Sequence, residues 1–308
     1  MIGSLVLAGY AAIVGFAVPP WLARARWPLR APRTAILLWQ ALTASFIISV
    51  ALAWYHATTS SQHLHGLLGT AERWLGGPHV AGASPGGGFA GGAEGVELLL
   101  PVGLTALWPA SWFVAISVSA RRRRRRHAQL LRLVGRPAPE LGAVVLDHDT
   151  PAAYCLPGRP ARVVVTSAAV RSLTPAGLRA VLAHERAHLR GRHHVVVAAS
   201  EAFARAFRVL PLARAARTRT AELLEMVCDD RALRTASATA LARAIGEVAA
   251  GSSPRSAFAA GGTAVLARLR RLLRPSAPLG SAARCALLLL GAGAVTLPYF
   301  ITCGPVLG

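Results

Sequence analysis

Four stretches of the 308-residue chain run for a full membrane thickness with almost no charge. Ile2 to Val18 is uncharged, and Trp21-Leu22 extends it. Thr34 to Ala57 carries no charged residue, Val96 to Ala120 has only Glu97 at its edge, and Cys285 to Leu307 is again uncharged. A hydrocarbon core of about 30 Å needs about 20 apolar helical residues. The pattern therefore predicts membrane-spanning helices at 2–22, 34–57 and 96–120, and a fourth within 283–308. Of Trp21, Trp39, Trp54, Tyr55, Trp108 and Trp112, several lie near the span ends, where amphipathic rings favour the interface. Pro101, Pro109 and Pro298 are tolerated in membrane helices. The first stretch lacks the basic start of a cleaved signal peptide and reads as a retained span.

Between the third and fourth stretches the periodicity changes. Ala143 to Leu146 and Arg162 to Thr166 read as short strands, with a turn at Pro157-Gly158-Arg159-Pro160. Helical patterns follow at about 175–192, 195–213, 219–236 and 237–250, ending at the break Gly251-Ser252-Ser253-Pro254. Segment 195–213 carries Glu201, Arg205 and Arg208, so it reads as an amphipathic or core helix and not a span. The expected fold is mainly α. A polytopic membrane region with three spans occupies 1–120, an α+β domain occupies 121–282, and the fourth span with a short C-terminus occupies 283–308. A small sheet in that domain would offer an edge to which an extended peptide can add as a strand. The loop 58–95, with Gly76-Gly77-Pro78 and Pro85-Gly86-Gly87-Gly88, reads as flexible.

Composition agrees: 54% of residues are hydrophobic, and the mean hydropathy of +0.45 is high for a soluble domain. The formal net charge is +21, and arginine supplies the whole positive side, with no lysine. Where the arginines sit matters more than their number. Arg24, Arg26, Arg30 and Arg33 fill the loop after the first span. Arg121 to Arg126 follow the third, and Arg268, Arg270, Arg271, Arg274 and Arg284 precede the fourth. Positive residues flanking spans mark the cytoplasmic side. The expected arrangement is a multi-pass cell-membrane protein with its amino terminus outside, loop 19–33 inside, loop 58–95 outside, 121–284 inside and the carboxyl terminus outside. The partner implied by the charge is then the lipid bilayer, with anionic lipid near the hexa-arginine run, and not nucleic acid. Cys155, Cys228, Cys285 and Cys303 form no disulfide framework, and the first two fall in the expected cytoplasmic part, where thiols stay reduced.

The candidate chemistry lies in Val181-Leu182-Ala183-His184-Glu185-Arg186-Ala187-His188-Leu189. Two histidines four apart share one helical face and can reach a single Zn²⁺. The carboxylate of Glu185 stands beside the metal, placed to take a proton from water. Thr174 is a good N-cap and Pro175 a good first helical residue. Leu178, Ala180, Val181, Leu182, Ala183, Ala187 and Leu189 give the helix an apolar stripe. A catalytic zinc needs a third protein ligand. The chain has only 13 acidic residues, and four of them cluster at Glu222, Glu225, Asp229 and Asp230. Glu225 is assigned as the third ligand. Asp229, one turn on, would accept a hydrogen bond from a ligand histidine, while Glu222 and Asp230 read as surface charges. His193 and His194 compete for the third position, because HERAHLRGRHH also fits a three-histidine spacing with Gly191 at the turn. No methionine turn follows, however, and Glu225 is preferred.

The pairing of His184-Glu185-Arg186-Ala187-His188 with Glu225-Met226-Val227-Cys228-Asp229 resembles the HExxH plus ExxxD pair of gluzincin-type membrane peptidases. With three spans, a cytoplasmic domain and a fourth span, nearly the whole chain is similar to the BlaR/MecR-type antirepressor metallopeptidases. Ala153-Tyr154-Cys155-Leu156-Pro157-Gly158 looks like that family's segment upstream of the zinc helix. The resemblance implies one Zn²⁺ per chain held by His184, His188 and Glu225, Glu185 as general base, and a cytoplasmic protein substrate such as a winged-helix repressor. Penicillin-sensing members carry a large outer sensor domain after the last span. The chain stops at Gly308, so β-lactam recognition is not expected. Heat-shock and prenyl-protein membrane peptidases share both motifs but place spans between them, where this chain has only 195–213. Two further alternatives are a zinc-binding signalling scaffold without turnover and a membrane-tethered nucleic-acid binder with steeply salt-dependent affinity.

Overall fold

The computed structural model describes residues 2–58, 92–252 and 258–303. The expected loop 58–95 and the break at 251–254 fall largely outside the described residues. Two helices, α1 (Ile2–Ala12) and α2 (Val18–Arg24), are joined without a bend by a π-helical segment, Ile13–Ala17. Pro19 and Pro20 follow that segment. Prolines supply no N–H and crowd the carbonyls one turn back, so the hydrogen-bond ladder slips locally. Helix α3 covers Pro32–Thr58 and α4 covers Gly92–Val134. The run Arg121 to Arg126 lies inside α4, which continues straight from apolar to basic sequence instead of ending at 120. The last helix, α11, is Ser281–Cys303. Among the described residues, four helices are long and apolar enough to cross a membrane: Gly3–Arg24, Pro32–Ala57, Gly103–Val134 and Ser281–Thr302.

A four-stranded sheet follows α4: β1 (Gly135–Ala138), β2 (Ala143–Leu146), β3 (Ala153–Leu156) and β4 (Arg162–Thr166), in the spatial order β1-β2-β4-β3. β2 and β4 pair in parallel and the outer pairs are antiparallel. β4 is buried on both faces, which is why it reads as an unbroken Val163-Val164-Val165 run. Val163 and Val165 pack with Leu178, Val181 and Leu182 of the zinc-motif helix. Val164 packs on Leu131 at the end of α4. The sheet is thus clamped between the long helix α4 and the helix that carries the histidines, with β3 left as a free edge.

Seven helices complete the fold: α5 (Ser167–Ser172), α6 (Pro175–Arg190), α7 (His193–Ala206), α8 (Pro211–Ala232), α9 (Ala238–Ser252) and α10 (Phe258–Leu273), then α11. The expected helix 195–213 ends at Ala206. Pro211 starts the next helix, and a residue before proline is pushed out of helical geometry; Leu210 is extended accordingly. The resulting hairpin α7–α8 does not hang free. Its apolar residues Phe203, Leu210, Leu212, Ala213 and Ala216 share one core with Val14, Ile36, Trp39, Leu42 and Phe46 of the first two apolar helices. Gln40 in α3 donates to Ser200 Oγ at 3.2 Å and Thr220 Oγ1 at 3.4 Å, one on each arm of the hairpin. Trp108 in α4 donates to the Ala206 carbonyl at its tip, at 3.2 Å.

Candidate metal centre

Helix α6 brings the motif to the interior. Thr174 caps it by accepting from the Gly177 N–H at 3.1 Å, and Pro175 starts it. Its apolar stripe lies on the sheet, and the histidine face turns toward α8. The Nε2 atoms of His184 and His188 stand 3.2 Å apart. Glu225 reaches across from α8 and offers one oxygen to each ring, Oε2 at 3.3 Å from His184 Nε2 and Oε1 at 3.3 Å from His188 Nε2. A tetrahedral zinc with donors at about 2.0–2.1 Å holds them about 3.3–3.4 Å from each other. The two imidazoles and the Glu225 carboxylate are therefore spaced as ligands of one zinc could be, with a different carboxylate oxygen nearest each ring, and the residues fit the ion.

The surroundings fix this triangle. Asp229 is 1% exposed, and its Oδ1 sits 2.9 Å from His184 Nδ1, a close approach without the alignment of a hydrogen bond. His193 does not face the triangle. Its Nδ1 lies 3.3 Å from His188 Nδ1 and 3.3 Å from Cys228 Sγ, so it backs the second histidine. Gly191 makes this possible, because a Cβ there would fall 2.1 Å from His193 Nε2. His194 makes no contact with the triangle; burial and the nearby charges of Arg124, Arg121 and Arg192 lower its pKa. Arg268 of α10 is a residue that periodicity could not place at the site. Read from sequence as a charge flanking the fourth span, it instead forks onto Asp229, Nε to Oδ2 at 2.8 Å and Nη2 to Oδ1 at 2.7 Å. Its Nη1 also touches Glu225 Oε2 at 2.9 Å. Neighbouring Arg271 pairs with Asp230 at 2.7 Å, and Arg219 pairs with Glu222 at 2.8 Å, so those two acids are ion-paired surface groups.

Titration behaviour follows from the crowding. Burial disfavours charge on His184, but Asp229 and Glu225 outweigh it and raise its pKa to about 9. Burial would raise Glu225, yet His184, His188 and Arg268 hold it well below the usual carboxylate range. Glu185 is raised, chiefly by burial. Cys155, on the edge strand β3, donates its S–H to Glu185; burial, then the Glu185 charge, pushes the thiol up to about 12. Cys228 is the other candidate ligand. His184, His188 and Cys228 have donor atoms within 4.8 Å of one another. Burial pushes its thiol up as well in the metal-free site. A Glu225 oxygen stands 3.3 Å from each imidazole.

The family model for peptidase family M48 matches residues 117–258. That match supports an M48 metallopeptidase, a zinc-dependent hydrolase, and spans the end of α4, the sheet and both motif helices. No curated protein and no solved structure matches the chain significantly.

Proposed function

We propose that the chain is an integral-membrane zinc endopeptidase that hydrolyses a peptide bond in a cytoplasmic protein. The observation that carries the reading is the triangle of His184, His188 and Glu225 donors with the half-buried Glu185 carboxylate next in sequence. Those three residues would hold the ion, and zinc, when bound, supplies Lewis acidity toward a carbonyl oxygen and toward water. Glu185 takes the proton from the attacking water and returns it to the leaving amine. Burial lifts its pKa from the ordinary range toward the working pH, as general-base chemistry favours. Strand β3 offers its free edge beside Glu185, and an extended peptide adding there would run past the carboxylate. Asp229 orients His184.

The arginine distribution places the peptidase region on the cytoplasmic side with the amino terminus outside. The resemblance to antirepressor peptidases makes a winged-helix repressor the first substrate to test. Purified protein in lipid nanodiscs, loaded with zinc and mixed with a repressor encoded beside it, is expected to yield two fragments by mass spectrometry. Cleavage that persists unchanged in Glu185→Gln would contradict the mechanism. A quality-control peptidase of the heat-shock or prenyl-protein kind is the second reading. It is favoured by the hairpin α7–α8, which lies between the two motifs and packs on the apolar helices α3 and α4. Preferential cleavage of a misfolded membrane protein over any repressor would select it.

A further inference from the structure

Among the described residues, Arg268 is the one cation that pairs with both acids of the ExxxD segment. It lies on α10, 39 residues beyond Asp229 and outside the segment matched by the family model. Its side chain is 13% exposed, so three short contacts are made largely out of water. A buried guanidinium is stable only with such partners, and a planar fork fixes the orientation of the carboxylate it grips.

We infer that Arg268 is a positioning residue of the metal centre: one guanidinium sets the Glu225 ligand directly and His184 indirectly, by locking Asp229 behind the ring. This rests on the zinc-peptidase reading above. The contact to Glu225 uses Oε2, the oxygen facing His184, and so fixes the rotation of the ligand carboxylate. The contact to Asp229 uses both oxygens and leaves Oδ1 facing His184 Nδ1. Helix α10 is itself held. Arg271 binds Asp230 and donates to the Leu29 carbonyl at 2.8 Å, and Arg30 donates to the Ala277 carbonyl at 2.8 Å just beyond the helix end. The loop after the first apolar helix and the approach to α11 thus anchor the helix from which Arg268 reaches the site.

The test is zinc affinity of the full chain in nanodiscs, measured by competition with a chromophoric chelator, with thermal unfolding of the metal-stripped protein alongside. Arg268→Gln is expected to bind zinc about 10–100-fold more weakly. Arg268→Lys keeps the charge but cannot fork, and is expected to stay within about threefold of the Gln variant. Arg268→Gln combined with Asp229→Asn should lose no more than the worse single variant, since the two act as one unit. A purely structural role would lower the unfolding temperature and leave zinc affinity of the folded protein unchanged, and that result overturns the inference. So does full recovery by Lys, or fold-changes that multiply in the double variant. If the unaltered protein itself binds no zinc, the peptidase reading fails and the inference with it; a zinc-binding protein indifferent to Arg268 sinks the inference alone.

Discussion

On the proposed reading, Glu185 is the residue on which turnover hangs. Its replacement by Gln keeps shape and removes the base. The expected outcome is retained zinc and a loss of about 10²–10⁴-fold in cleavage rate, checked by metal content and single-turnover assays on one preparation. His184 gives a prediction in pH. In the metal-free protein its pKa is raised to about 9 from an ordinary 6.5. The charged ring therefore adds stability in full below pH 6.5, and that contribution is lost as pH rises through 9. The unfolding temperature of chelator-stripped protein should fall across this window, and a profile that is level there would count against the Asp229–His184–Glu225 grouping. The histidines and Glu185 were legible because their spacing is local, and Glu225 because acids are scarce in this chain. Arg268 was not legible. Its role depends on a contact across 39 residues, and its sequence neighbourhood, rich in arginine before a span, has a sufficient explanation of another kind. His193 stayed an open alternative for a related reason: spacing shows that a ring can approach a metal, but the packing against Gly191 decides which way it turns.

Elements were legible in proportion to how strongly one physical signal dominated each. Helix α6 carries an N-cap, a proline and an apolar stripe, and its expected start agrees with Pro175. Thr174→Ala removes the hydroxyl acceptor and should cost about 1 kcal/mol, readable as a lower urea midpoint if the peptidase region unfolds as one transition. β2 and β4 stood out as apolar runs. β1 and β3 did not: Gly135-Arg136-Pro137-Ala138 has no alternation, and a four-residue edge strand such as Ala153–Leu156 leaves little pattern to read. Their pairing is a property of the neighbours, β2 and β4, that recruit them. Gly191 offers a second check. Gly191→Ala places a methyl into the His193 ring and should disturb His188 behind it. A drop in zinc affinity larger than the drop in thermal stability is expected; equal binding to the unaltered protein would show that His193 can move aside without consequence.

At the scale of the whole molecule the apolar helices and the peptidase helices are not two bodies joined by a linker. The largest core is shared between them, with Trp39 and Leu42 of α3 against Leu212, Ala216 and Leu223 of α8. The sequence read as a membrane region followed by a separate domain, because an amphipathic pattern in 195–213 shows an apolar face but not which helices cover it. Gln40→Leu, which removes a side chain that donates to both arms of the hairpin, should lower thermal stability by about 1 kcal/mol. Because α8 carries Glu225 lower down, it should weaken zinc binding as well. All of this converges on what holds the metal. X-ray absorption at the zinc edge of the loaded protein tests it most directly: ligation by His184, His188 and Glu225 predicts nitrogen and oxygen neighbours alone at about 2.0–2.2 Å, whereas a sulfur neighbour near about 2.3 Å would put Cys228 in place of Glu225 and contradict the assignment.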